Sequence, residues 1–104
     1  MKKQEWVNLK TNKLFKAILE LESLSEAKRF FRDLLTEQEI KEFASRWEVA
    51  QMLAKKTPYS KIEKKTGMSS TTITRISKWL NKGMGGYKLV IKKLQNKKNH
   101  QSPA

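Results

Sequence analysis

The sequence predicts an all-α protein with a helix-turn-helix in its C-terminal half. Two observations carry the fold class. Apolar residues recur at i, i+3, i+4 and i+7 in successive stretches, and those stretches are separated by residues that start or stop helices. A third observation places the helix-turn-helix. The segment Tyr59–Leu80, YSKIEKKTGMSSTTITRISKWL, reads as two short helices joined at Thr66-Gly67-Met68-Ser69.

Residues 1–12 are polar apart from Trp6, Val7 and Leu9 and read as an N-terminal arm, either flexible or one extra helical turn. Asn12 reads as the cap of a first helix carrying Leu14, Phe15, Ile18 and Leu19, which fades near Glu22 and Ser23. Ser25 opens a second helix with Ala27, Phe30, Phe31, Leu34 and Leu35 on one face, and the adjacent phenylalanines predict deep burial. Thr36-Glu37-Gln38-Glu39 is a capping box, in which hydroxyl and carboxylate each serve the other residue's amide. The third helix, roughly 37–56, is expected to bury Ile40, Phe43, Ala44, Trp47, Ala50 and Leu53, and it breaks at Thr57-Pro58 because proline disfavours helical geometry in the residue before it.

In the helix-turn-helix, Gly67 stands where the first helix must stop and reverse, a position that calls for positive φ. Ser69 caps the second helix and is also a candidate DNA contact at its start. Counting from Tyr59, the glycine is ninth, and apolar residues stand fourth, tenth, fifteenth and eighteenth: Ile62, Met68, Ile73 and Ile76. That spacing is usual for such units, although Glu63 stands where a small residue is common and Thr66 where an apolar one is. The face left free by Ile73, Ile76 and Leu80 carries Ser70, Thr71, Thr74, Arg75 and Lys78, hydroxyls and cations with no carboxylate. Such a face suits the major groove, where hydroxyls reach several base edges and a cation reads guanine. Lys61, Lys64 and Lys65 on the preceding helix suit phosphates. The bland alternative is an ordinary helical hairpin with a polar face.

Beyond Leu80, residues 81–86 contain three glycines within four positions and read as a loop. Tyr87, Leu89, Val90, Ile91 and Leu94 form a last helix docked on the body or on a partner chain, and residues 95–104 read as a disordered basic tail. The expected organisation is thus an arm over 1–12, one helical domain over 13–94 and the tail.

Charge separates the halves. The chain of 104 residues carries a formal charge of +13, but residues 1–53 hold ten Lys/Arg against nine acids, and residues 54–104 hold thirteen against Glu63 alone. The basic half is the expected nucleic-acid partner, because phosphate neutralisation with counterion release supplies most non-specific affinity. A membrane-surface helix would need a large apolar face opposite its lysines, which the Tyr59–Leu80 stretch lacks. There is no cysteine, no span-length apolar run and no signal-peptide core, so a reducing cytoplasm is expected. No metal site is expected either, since His100 is the only histidine and falls in the tail. No Walker loop, dinucleotide fingerprint or catalytic carboxylate pair argues for an enzyme.

The runs LFKAILEL, FFRDLLTEQEI, SRWEVAQML, YSKIEKKTGMSSTTITRISKWLN and GYKLV together resemble the YerC/YecD branch of the Trp repressor superfamily over about residues 14–90, most specifically in TGMSSTTITRISKWLN. The resemblance implies six helices per chain and an obligate homodimer whose N-terminal helices interlock, a Trp repressor-like intertwined dimer with two reading heads facing one operator. Residues agree on a partner chain, because so many bulky apolar groups on three short helices exceed what the segment can bury alone. The implied function is a sequence-specific transcriptional regulator, a repressor, on double-stranded DNA. A non-regulatory module of a transposition or replication complex is the alternative. The resemblance also implies a tryptophan co-repressor held between Arg46 and Arg75. Ile76 and Trp79, however, take the positions of the glycine and serine that border that ligand, so the residues predict no tryptophan site. Arg46 and Arg75 are then structural or phosphate-facing, and whether another small-molecule effector binds stays open.

Overall fold

The computed structural model describes residues 5–100, and the side chains of residues 5–98. Six helices and no strand occur among them: α1 (Leu9–Leu19), α2 (Leu24–Leu34), α3 (Glu37–Ala54), α4 (Tyr59–Thr66), α5 (Ser70–Lys82) and α6 (Gly86–His100). Contacts group the chain into two compact units that part between Ile40 and Lys41.

In the first unit, α1 begins earlier than expected. Its cap is Asn8, not Asn12: the Asn8 side chain accepts from the Thr11 amide at 3.0 Å, and Thr11 Oγ1 accepts from the Asn8 amide at 3.0 Å. The Thr11 hydroxyl also donates to the Trp6 carbonyl at 2.6 Å, and the Trp6 ring meets Phe15 edge-on at 6.3 Å. Residues 5–12 are therefore partly helical and held by the chain that follows; the spacing Asn8-x-x-Thr11 is the overlooked signal. Similarly, α2 is capped by Ser23, whose Oγ accepts from the Glu26 amide at 3.1 Å, and not by Ser25.

The Thr36 box stands as expected. Thr36 Oγ1 accepts from the Glu39 amide at 3.1 Å, and Glu39 Oε1 accepts from the Thr36 amide at 2.9 Å. The hydrogen bonds from the Thr36 backbone and side chain hold the Glu39 carboxyl below its ordinary value. No residue of α1 or α2 is buried, and Phe30 and Phe31 are only half-buried, edge to face at 5.6 Å. The deep burial predicted for the adjacent phenylalanines is thus absent within one chain, which covers them only in part.

The second unit holds the core. Val49 and Ala50 of α3, Ile62 of α4 and Ile73 and Ile76 of α5 are fully buried together, with Trp47, Met52, Leu53, Met68 and Tyr87 packed around them. Trp47 and Tyr87 stack at 6.2 Å between ring centroids. Contrary to expectation, Phe43 and Ala44 are exposed. The stripe of α3 that faces the core is Val49-Ala50-Leu53, whereas Phe43 and Ala44 lie nearer the start of the helix. The helix stops at Ala54, short of 56, where the Thr57 amide returns to the Met52 carbonyl at 3.0 Å and Lys56 takes a positive φ of 63°.

The glycine segment is shorter than expected. α5 runs on through Lys82 to a C-cap at Gly83, where an added Cβ would collide with the Trp79 carbonyl, and α6 starts at Gly86. α6 continues to His100, past the expected boundary at Gln95. Lysine and glutamine are good helix formers, and no glycine or proline interrupts residues 87–100. Residues 101–104 lie outside the described residues, and no statement about the tail applies to them.

Candidate nucleic-acid interface

The turn between α4 and α5 is built by three residues. Gly67 closes α4 with φ of 74°, its amide donating to the Glu63 carbonyl at 2.8 Å. A Cβ there would meet nothing within 4 Å, so glycine answers the backbone conformation and not the space. Thr66, the departure from the usual apolar residue, works by hydrogen bonding: its hydroxyl donates to the Ile62 carbonyl at 2.7 Å and accepts from the Met68 amide at 3.2 Å. Glu63, the other departure, is exposed and so meets no packing limit.

α5 is anchored by Ile73 and Ile76, buried with residues of α3 and α4, and by the buried Leu80. At 100° per residue those three centre one face, and the opposite face gathers Thr71, Thr74, Arg75 and Lys78, all exposed. Ser70 is exposed beside them. No acid lies anywhere on α5. On α4, Ile62 faces the core while Lys61, Lys64 and Lys65 are exposed, the last two in its final turn. The predicted groups on α4 and α5 are thus all exposed, and none of their cations pairs with a described carboxylate. Ser69 differs from the rest. Its hydroxyl accepts from the Thr72 amide at 3.2 Å and lies 3.1 Å from Thr72 Oγ1, so its hydrogen bonds already serve the helix start.

Beside the reading face, Arg46 and Arg75 border a cleft of about 320 Å³ with Glu42, Met68, Thr72 and Trp79. Arg46 also lies 5.8 Å from the Phe43 ring centroid. The two residues expected to block a ligand here separate. Trp79 lines the cleft; Ile76 does not, being fully buried in the core. Sequence reasoning missed Glu42, whose carboxylate would oppose the carboxylate of an amino acid drawn to the arginines; Glu42 is one helical turn before Arg46, which was the available signal.

No helix among the described residues is long and apolar enough to cross a membrane, and no group of acidic, histidine or cysteine residues there is placed to hold a metal ion.

Comparison with known proteins agrees with this geometry. The family described as Trp repressor protein matches residues 9–95. The uncharacterized YerC protein of Bacillus subtilis is 41% identical over 91 residues, covering 88% of each chain. A TrpR-like protein from Eubacterium eligens superposes with a TM-score of 0.84 at 41% identity, over 88% of this chain and 94% of that one. A Trp repressor candidate from Staphylococcus aureus superposes equally, at 0.84 and 33% identity, over 91% and 95%. With its anchored turn, its acid-free second helix and a match spanning nearly all six helices, the chain belongs to the YerC branch of the Trp repressor family.

Proposed function

We propose that the protein is a sequence-specific DNA-binding regulator, a repressor, that grips operator DNA as a homodimer. The observation that carries it is the exposed face of α5. Thr71, Thr74, Arg75 and Lys78 stand free of any acid on a helix pinned by Ile73, Ile76 and Leu80. A rigid anchor with an uncommitted face is what base reading requires, because a helix that rocks cannot hold hydrogen-bond geometry against base edges. Lys61, Lys64 and Lys65 make phosphate contacts that set register without specifying sequence.

Dimerisation is supported by what the single chain leaves uncovered. Phe15, Leu19, Leu24, Leu34 and Phe43 are each 47% exposed or more, a concentration of large apolar groups that monomeric proteins seldom present. A second copy covers them and sets two reading heads on one duplex.

The test compares variants on specific and random duplexes. Arg75→Ala and Lys78→Ala should each lose about 1–3 kcal/mol of discrimination, whereas Lys64→Ala should weaken all duplexes alike and flatten the salt slope by about one unit. Identical behaviour of the three would refute the assignment. A wild-type preference below about 10³ for the best site would favour the non-regulatory module over the regulator.

A further inference from the structure

Away from the reading face, a cavity of about 700 Å³ opens between the end of α3, the start of α4, the far end of α5 and α6. Three of its lining residues are lysines, Lys56, Lys88 and Lys92, and none is acidic. No described carboxylate pairs with any of the three. Lys56 reaches the cleft because its positive φ closes the end of α3 and turns the chain there. A non-glycine residue in that region costs on the order of 1 kcal/mol, which the chain accepts with a lysine rather than a glycine. The lining also holds Tyr59, Ser77 and Asn81, whose side-chain amide donates to the Ser77 carbonyl at 2.9 Å, and the apolar Leu53, Leu80 and Ile91.

Lysine side chains without described carboxylate partners, beside hydroxyl and amide residues in one concave site, match an anion with several acceptor oxygens. We propose that this cleft binds a phosphate group. Its position on α5 suggests how the group arrives. Ser70, Thr74, Ser77 and Asn81 follow one another at helical spacing along a single stripe, from the reading end of the helix into the cleft. A phosphate of a DNA strand tracking past the reading head reaches it by that route, and a free phosphorylated molecule occupies the same donors. A backbone phosphate as occupant presupposes the DNA-binding function proposed above; a free one does not.

The test uses the full chain, the Lys88→Gln/Lys92→Gln variant and a Lys93→Gln/Lys97→Gln control that removes the same charge outside the cleft. Titration with inorganic pyrophosphate at constant ionic strength should move the amide resonances of Ser77 and Asn81 saturably in the wild type and the control. In the cleft variant the affinity should fall at least about tenfold, since two of three charges are gone. Duplex binding then separates the sources. If the group belongs to DNA, duplex displaces pyrophosphate and the cleft variant's salt slope drops by about one unit, at roughly 0.9 per phosphate contact. If it belongs to a free molecule, duplex and pyrophosphate bind together and the slope is unchanged. The inference is overturned if neither the resonances nor the slope respond, or if the control pair loses as much as the cleft pair. A wild type that binds no duplex would defeat the DNA function and leave the pyrophosphate result to decide the cleft.

Discussion

Ile76→Ala separates two accounts of the cleft beside Arg46 and Arg75. If Ile76 bordered that cleft, shortening it would enlarge the space for an effector and cost little stability. The structure instead buries Ile76 completely, among Val49, Ala50, Ile62 and Ile73. Alanine removes the three carbons beyond Cβ, worth about 0.8 kcal/mol each on transfer. The cavity left in a rigid cluster adds on the order of 1 kcal/mol, for a total of about 3–4 kcal/mol. That is a large part of the 5–15 kcal/mol, roughly, by which domains of this size are stable. Urea unfolding at a fixed protomer concentration should show the loss as a lower midpoint with unchanged slope. Tryptophan at millimolar concentration should give no heat of binding with either protein and leave DNA affinity unchanged. Trp79 already lines the 320 Å³ cleft, and the Glu42 carboxylate beside Arg46 would repel the carboxylate of the amino acid. A stability loss under about 1 kcal/mol, or tryptophan binding that the alanine enhances, would refute this placement of Ile76.

Two further outcomes follow from the N-terminal helices. Glu39 has its folded pKa lowered by hydrogen bonds from Thr36, so the capping contribution is complete above the ordinary glutamate pKa and is lost as pH falls through the lowered folded value. Glu39→Gln should remove that acid-side slope of stability against pH, and a slope unchanged in the variant would deny the box its part. In sedimentation at micromolar concentration the chain should be a dimer whose unfolding midpoint rises with protein concentration; a stable, folded monomer would contradict the cover proposed for Phe15, Leu19 and Leu24.

Local chemistry was legible wherever neighbours in sequence decide it. The Thr36–Glu39 box, the reversal at Gly67 and the cap at Ser69 each depend on a few consecutive residues, and each stands as the spacing predicts. Where two local signals compete, sequence alone did not choose. Asn8 and Asn12, like Ser23 and Ser25, all offer capping oxygens, and the earlier one of each pair serves; at Asn8 the Thr11 hydroxyl returns the bond, and at Ser23 the Glu26 carboxylate accepts from the Glu22 amide instead. The helix at 95–100 was missed for a related reason: a polar, basic composition suggests solvation, but it also contains good helix formers continuing an established helix.

By itself, then, the sequence determined the helical class, the helix-turn-helix with its buried Ile62, Ile73, Ile76 and Leu80, the basic half, and the family, because periodicity, capping and charge are properties of short stretches. Only the tertiary structure decided which face of α3 lies inward, leaving Phe43 exposed and Val49 buried, since that depends on where other helices pack along it. It also decided that Ile76 joins the core while Trp79 lines the cleft, and that Lys56, Lys88 and Lys92, up to 36 positions apart in the chain, line one cavity. Such convergence is set by packing between helices, which no periodicity within one helix encodes.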